Sequence, residues 1–400
     1  MNTCRVCLSP THPFLSLGSV PLPEEFRMKT QRNLPIRDYP LGLSCCTRCH
    51  HVQLTHIVSS DPIYKQHYFY DYSVTATGLG HWQRLARQIT RRYLKDNNLV
   101  VDIGSNTGTL LSCFQAFGAR IRGVDPTNKL AAIARSRGIP TMTNYFTPSV
   151  ARRIVRQLGQ ATVATGTNVF DHVDSLQSFL EAMQILLAPR GVFIVEVPYF
   201  LTFLTSHSHI VYHQQIDYMM MTPLIPLFDR YDMELVNTEP IPIHGGSIRL
   251  SIRKKGVQKA AISVSSLLSK EQVLFATYPR RLKKFADALC KQREDFSLRV
   301  RNLKAKGKRI AAVGASAKGI TLLNYAGLGP REIDYITEKS PLKIGRFTPT
   351  GIPIVADRTL ITDQPDYAIL LAWNFTQEIM NNLNGYRGKW IIPVPSFRVI

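Results

Sequence analysis

Thirteen residues, Leu99-Val-Val-Asp-Ile-Gly-Ser-Asn-Thr-Gly-Thr-Leu-Leu111, restrict the fold of this chain more than any other stretch. They read as a buried apolar strand, a sharp glycine turn and the start of a helix. Leu110, Leu111, Phe114 and Phe117 recur at helical spacing, so one helix face is expected to be apolar. The turn, Asp102-x-Gly104-x-x-x-Gly108, lets backbone approach a ligand where a Cβ would collide. The helix start also points free N–H groups at whatever lies there. Arg120-Ile-Arg-Gly-Val-Asp125 follows as a second strand ending in a carboxylate. In an open α/β sheet, an acid at that place is set to hydrogen-bond a ribose.

Two cofactor geometries compete for such a turn. A dinucleotide loop reads G-x-G-x-x-G, with its helix N-terminus facing pyrophosphate. Here Gly104 is followed by Ser105-Asn106-Thr107, and the pattern is D-x-G-x-x-x-G. That resembles the loop of class I S-adenosylmethionine (SAM) methyltransferases, which packs on an uncharged thioether and amino-acid tail. A plain glycine turn in an ordinary α/β domain is the third reading. The downstream Asp125 favours SAM.

The surrounding chain alternates in kind. A helix is expected over His81–Lys95, then helices near 128–138 and 148–158, with a short strand near Thr141 between them. Ala161–Thr165 reads as the next strand, and a helix over 175–187 ends at Pro189-Arg-Gly191. Val192–Val197 is an apolar run of the buried parallel kind. This spacing implies a doubly wound, Rossmann-like α/β sheet. Ligands then gather at the strand C-termini, where Gly104, Asp125, Asn168 and Glu196 fall. A ring-rich segment, His207 to Tyr218, holds acid/base candidates just after a sheet strand. Ile243-His244-Gly-Gly-Ser247-Ile-Arg249 reads as a turn entering a strand, with a hydroxyl able to donate to an oxygen.

Ahead of this domain, Cys4-Arg-Val-Cys7 and Cys46-Thr-Arg-Cys49 form two C-x-x-C pairs 38 residues apart. Two such knuckles complete a closed four-sulfur zinc site of structural type. Metal binding would supply folding energy to a segment too short for much core. A redox pair or buried free thiols are the alternatives. Cys45 is a spare thiol, Cys113 and Cys290 read as core, and His50 and His51 are not expected to ligate. A tyrosine-dense connector, Asp61 to Gly78, offers rings and hydroxyls to a ligand or to domain packing.

The net charge of +21 over 400 residues favours an anionic partner. Its densest runs, Arg280–Lys284 and Arg299–Arg309, lie in a helical stretch and read as a solvated face. No apolar run approaches membrane-spanning length, and no signal-peptide pattern precedes Cys4. The expected setting is cytoplasmic, with cysteines reduced or metal-bound. A polar boundary over Lys254–Ser269 precedes a helix of some thirty residues, Lys270 to Lys304. Then Arg309–Val313, the loop Gly314-Ala-Ser-Ala-Lys318-Gly319 and Ile320–Tyr325 restart strand–turn–helix logic. Further strands are expected at Glu332–Ile336, Tyr367–Ala372 and Trp390–Pro393. The loop is not a P-loop, yet free N–H groups beside a lysine suit a diphosphate, and Arg346 could clamp one. Three domains result: 1–75, 76–255 and 256–400.

The assembled pattern resembles the three-domain sugar-nucleotide C-methyltransferases of branched deoxysugar biosynthesis. The likeness rests on the paired C-x-x-C module with Tyr39-Pro-Leu41, Tyr70-Asp-Tyr72-Ser and the Gly104–Gly108 loop. It rests equally on Asn168-Val-Phe-Asp-His172, Glu196-Val-Pro-Tyr199, His244-Gly-Gly-Ser-Ile-Arg249, Gly314-Ala-Ser-Ala-Lys-Gly319, Thr321-Leu-Leu-Asn-Tyr325 and Ala372-Trp-Asn374. It implies structural zinc on Cys4, Cys7, Cys46 and Cys49. It implies SAM on Tyr72, Asp102, Gly104, Asn106, Gly108, Asp125 and Asn168. A nucleotide-diphosphate keto-sugar would meet Tyr70, Gln214, Gln215, His244, Ser247, Lys318, Arg346, Trp373 and Asn374. A ring carbon beside the ketone would lose a proton, and the enolate would take the methyl group. Family members usually carry Tyr-His-Glu-His where this chain has Tyr212-His213-Gln214-Gln215. An amide cannot serve as a base near neutral pH, which leaves His172, Tyr212 or His213 for proton transfer. A different acceptor, or a SAM-binding scaffold of low turnover, are the other outcomes of that departure. A nucleic-acid methyltransferase would fit the zinc and the charge, but Asn168-Val-Phe-Asp replaces the usual N/D-P-P-Y signature and no nucleic-acid module is recognisable. Nucleic acid is therefore not the expected partner.

Overall fold

A computed structural model describes residues 3–31, 34–71, 75–95, 97–206, 210–243 and 245–400. The Leu99–Ile103 strand lies inside a seven-stranded sheet, with two strands on one side and four on the other. On one side it pairs in parallel with Arg120–Val124, and that strand with Thr141–Met142. On the other side come Ala161–Thr167 and then Leu187–Pro198, again parallel. Ser247–Lys254 and Met233–Ile241 close the sheet as an antiparallel pair. Alternate side chains serve the two faces. Val100, Val163 and Val192 pack on the Ala76–Tyr93 and Thr109–Gln115 helices through Leu85, Ile89, Leu111 and Phe114. Val101, Ala164 and Phe193 pack on the Pro148–Leu158 and Leu176–Leu186 helices through Ile154, Leu180 and Met183.

Four expectations are corrected. The Thr109–Gln115 helix stops before Phe117, which is 42% exposed and plays no part in the apolar face. Pro189-Arg-Gly191 does not separate helix from strand, because the strand begins at Leu187 and passes through it. A register shift opposite Ala161–Val163 absorbs the extra residues, and a Cβ on Gly191 would stand 2.8 Å from the Ala161 carbonyl oxygen. The long helix is two, Ile262–Phe275 and Tyr278–Ala305, parted where Pro279 enters the first turn of the second. The serine-rich Ile262–Ser269 is therefore helix, and it packs on the seven-stranded sheet through Val264, Leu267 and Leu268. The fully buried Glu271 on this helix accepts the Met221 and Thr222 N–H groups and the Tyr199 hydroxyl, so no polar gap separates it from the seven-stranded sheet.

The C-terminal sheet has six strands, in the order Ile354–Ala356, Ile336–Glu338, Ile310–Val313, Tyr367–Leu370, Lys389–Ile392 and Arg398–Val399. All neighbours are parallel except the last pair. The Tyr278–Ala305 helix buries Leu282, Phe285, Leu289, Phe296 and Val300 and leaves its arginines and lysines on the outer side. The N-terminal sheet comprises Thr11–Pro21, Asp38–Cys46 and Val52–Leu54. Its fourth strand, Asp217–Tyr218, comes from the chain beyond the Leu187–Pro198 strand of the central sheet and pairs with Val52 and Gln53. One apolar cluster joins Leu15, Leu17, Leu41 and Leu43 of this sheet to Phe285, Ile320 and Ile336. The small module is thus wedged against both larger sheets. Among the described residues, no helix is long and apolar enough to cross a membrane.

Candidate active site and metal centre

The two C-x-x-C knuckles bring the Sγ atoms of Cys4, Cys7, Cys46 and Cys49 within 4.8 Å of one another. The Cys4–Cys49 and Cys7–Cys46 separations are 3.7 and 3.4 Å. Tetrahedral zinc–thiolate bonds place sulfurs about 3.8 Å apart, so the donor set fits zinc and leaves no open position for catalysis. Backbone N–H groups of Val6, Arg48 and Cys49 point at the sulfurs, as thiolates require. His51 faces away and meets Asp217 at 2.8 Å, and His50 packs on Phe275. Cys45 lies outside the cluster, and burial pushes its thiol up to about 12.

At the C-terminal ends of the parallel strands lies a cavity of about 300 Å³ walled by Gly104, Asn106, Asp125, Asn168 and His172. Gly104 has φ +69°, and a Cβ there would stand 2.4 Å from Val169 Cγ2, so only glycine suits the turn. Asn106 also takes a left-handed φ of +52°, which turns its N–H onto Asp125 Oδ2 at 2.8 Å. Asp125 Oδ1 accepts the Thr127 N–H at 2.8 Å. Each carboxylate oxygen keeps a further acceptor site for a ligand hydroxyl. Burial raises the Asp125 pKa against these two bonds. The rest of the wall is apolar or aromatic, including Phe146, Val169 and Phe179. An acid for ribose, an aromatic slot and a glycine turn without an amide nest for phosphate together fit SAM.

A second cavity, about 120 Å³, adjoins the first, and Tyr68, Asn168 and His172 belong to both walls. Its far side is built by Lys318, Trp373 and Asn374, on the helical segments that follow two strands of the C-terminal sheet, and its flank by Tyr70, Tyr212, Gln214 and Glu24. Four buried polar atoms of this wall have no hydrogen-bond partner: Asn168 Nδ2, Trp373 Nε1, Gln214 Oε1 and Glu24 Oε1. Two donors and two acceptors left unpaired at one cavity point to a ligand rich in oxygen functions. His172 holds Tyr64 Oη at Nδ1 across 3.0 Å and lies 3.4 Å from Asp171 through Nε2. Lys318 Nζ stands 5.7 Å from the Tyr212 ring centre, and burial lowers its pKa to about 8 against the pull of Asp171. A third cavity of about 130 Å³ continues beyond Tyr70, Ser316, Ala372 and Phe375 to Lys339, Ser340 and Lys343.

Several expected site residues lie elsewhere. His213 is fully buried against Tyr39, with Nε2 3.3 Å from the Tyr39 carbonyl oxygen, and burial lowers its pKa to about 4. It does not wall the cavity. Gln215 is likewise buried beside Asp217 and away from it. Ser247 spends its hydroxyl on the Ile243 carbonyl. Arg346 lies over the Phe69 ring at 4.7 Å, its Nε bonded to the Leu342 carbonyl, outside the three cavities. The Gly314–Gly319 loop is not an open amide cradle: Gly314, Ala315, Ser316 and Gly319 donate to Thr337, Glu338, Gly314 and Ser316. Gly108 shapes its turn, with φ +80° and Ile139 2.9 Å from a would-be Cβ. Asp102 sits under the turn, bonded by Thr165 Oγ1 at 2.6 Å. Glu196 is held between Arg249 and His81 at 2.7 Å each. Tyr72 and His244 fall outside the described residues. The residues not named for the site beforehand are Tyr64 and Tyr68, within the tyrosine-dense connector, Asp171, within the Asn168–His172 motif, and Glu24, for which one sequence carries no signal.

Three family profiles match the chain in order: a zinc binding domain at residues 4–64, a methyltransferase domain at 79–237 and a C-methyltransferase C-terminal domain at 242–395. The chain is 32% identical over its full length to the C-methyltransferase NovU of Streptomyces niveus, of which it covers 97%. It is 29% identical over 23% of its length to the ubiquinone biosynthesis O-methyltransferase of Cupriavidus pinatubonensis, covering 38% of that protein. Among solved structures, magnesium protoporphyrin IX methyltransferase from Synechocystis PCC 6803 with bound SAM aligns over 44% of this chain and 81% of its own. That alignment has 14% identity and a TM-score of 0.34.

Proposed function

The chain belongs to the C-methyltransferases that join a zinc-binding module, a SAM-dependent methyltransferase domain and a C-terminal C-methyltransferase domain, and on that premise we propose that its acceptor is a nucleotide-diphosphate-linked keto-deoxysugar. The observation that carries this reading is the second cavity, where unpaired Asn168 Nδ2, Trp373 Nε1, Gln214 Oε1 and Glu24 Oε1 face one space. A sugar ring with hydroxyls and a carbonyl offers partners for both kinds of atom. The diphosphate would pass Lys318 of the second cavity, and the third cavity beyond it suits the nucleoside.

SAM supplies a methyl group on a cationic sulfur. Gly104, Asn106 and Asp125 would hold it, and the wall of Tyr68, Asn168 and His172 shared by the two cavities would bring it beside the acceptor. A carbon beside a ketone must lose a proton before it can attack, so the site needs a base and a cation or donor for the developing oxyanion. The unpaired Asn168 amide would supply the second need, with Lys318 turned to the diphosphate. Closure of the cavity by Tyr70, Tyr212 and Trp373 keeps water away from both charges. The test is transfer of isotopically labelled methyl from SAM to a panel of uridine- and thymidine-diphosphate keto-deoxysugars. Label on a ring carbon is the expected result. SAM binding with no label reaching any such sugar overturns the reading.

A further inference from the structure

We propose that Glu24, delivered by the N-terminal module, is the general base that takes the proton from the acceptor carbon. This rests on the keto-sugar reading above. Glu24 follows the Thr11–Pro21 strand, is 2% exposed and walls the second cavity. Gln214 Nε2 donates to its Oε2 at 3.1 Å. Its Oε1 has no hydrogen-bond partner, and Lys343 Nζ stands 3.5 Å away. Lys343 is itself anchored on the Ala315 carbonyl and lies 4.0 Å from Glu338. It therefore offsets the charge of Glu24 through a contact at Oε1 longer than an ordinary hydrogen bond. Burial raises the Glu24 pKa despite that lysine, which makes the carboxylate a stronger proton acceptor than an exposed one.

The other proton carriers of this wall are less available. His172 is hydrogen-bonded to Tyr64 through Nδ1, and the Asp171 carboxylate stands 3.4 Å from its Nε2. Lys318 is better used as a cation, and His213 lies behind the wall. Gln214 cannot accept a proton, but its amide fixes the carboxylate that can. The C–H bond beside the carbonyl breaks, and its proton goes to Glu24 Oε1. Its electron pair forms the enolate C=C bond, with charge on the carbonyl oxygen. The enolate carbon then bonds to the methyl carbon, the C–S pair stays on sulfur, and the ketone re-forms. The thioether, the methylated sugar and one proton on Glu24 balance the step, and that proton leaves to solvent with the product.

Proton removal can be read without methyl transfer. The probe is thymidine-diphosphate-4-keto-6-deoxyglucose in D2O with S-adenosylhomocysteine, with hydrogen exchange beside the ketone followed by NMR. The full-length wild type should exchange well above the uncatalysed rate. Glu24→Gln should lower exchange at least about a hundredfold, with thermal stabilisation by SAM kept. The swapped pair Glu24→Gln with Gln214→Glu should regain tenfold or more, since it returns a carboxylate to the same hydrogen-bonded pair. Exchange by Glu24→Gln within threefold of wild type overturns the assignment, as does a loss that the swapped pair leaves unrepaired. Absence of exchange by the wild type removes the keto-sugar reading itself, and the assignment falls with it.

Discussion

Arg5 Nε lies 3.0 Å from Asp217 Oδ1, and that carboxylate is fully buried on the strand that completes the N-terminal sheet. Arg5 sits inside the first metal knuckle, and Asp217 closes the segment that begins with Tyr212 and Gln214. Metal, module and acceptor cavity are thereby linked through one ion pair. Zinc should be present at one per chain. Stripping it with a strong chelator, or Cys46→Ser, should lower the melting temperature and abolish methyl transfer. SAM binding should weaken less, because its wall comes from the central sheet. Zinc release scored with a chromogenic chelator, alongside calorimetric titration of SAM, checks the order of loss.

Gly104→Ala tests the first cavity. The left-handed φ and the 2.4 Å approach to Val169 both forbid the added methyl. SAM affinity should fall more than about tenfold, a cost of 1.4 kcal/mol or more. Gly118 has φ +81° but open space around a would-be Cβ. Gly118→Ala should cost about 1 kcal/mol of stability and leave SAM affinity unchanged. Equal affinities for the two variants would remove the turn from the binding site.

The central sheet was legible because buried parallel strands and glycine turns leave local marks: the Leu99–Leu111 stretch alone places Gly104, Asn106 and Asp125 on one wall. The four cysteines were legible for the same reason, since ligand spacing within each knuckle is short-range. The acceptor site was legible only in part. His172, Tyr212, Gln214, Lys318 and Trp373 meet across two sheets and a connector, whereas His213 and Gln215, flanking Gln214, turn inward. Which neighbour faces the cavity depends on the pairing of Asp217–Tyr218 with Val52–Gln53, a contact between segments some 165 residues apart. Glu24 was invisible for that reason too: nothing in Leu22-Pro-Glu-Glu-Phe26 announces that one glutamate is buried and the next is not.

Asp102 should make stability depend on pH. Burial raises its pKa to about 7, against the Thr165 hydroxyl that favours the ionised form. The folded state then holds a proton that the unfolded chain has released, so stability falls as pH rises from about 4 to about 7. Asp102→Asn should flatten that slope between pH 5.5 and 7.5 in thermal melts. An unchanged slope would show that the carboxyl is already ionised in the folded protein.

Lys318 should make recognition of the nucleotide handle depend on pH in the opposite part of the range. Its pKa of about 8 lies below the ordinary lysine value of 10.5 because burial disfavours the cation. Below pH 8 the ammonium is present and a bound diphosphate reinforces it, so binding raises the lysine pKa again. Between the free and bound values, complex formation takes up a proton, and affinity falls by up to one decade per pH unit. The dissociation constant of thymidine diphosphate, measured from pH 7.5 to about 9, above the phosphate ionisation and below that of the thymine N3–H, should therefore rise mainly above pH 8. Lys318→Met should bind about tenfold more weakly at pH 7.5 and show no such rise. The empty protein should behave the other way, since a depressed lysine pKa makes folding more favourable from pH 8 to 10.5. A wild-type affinity flat across that window, with the methionine variant equally tight, would place the handle away from Lys318 and on the Lys339–Lys343 side of the third cavity.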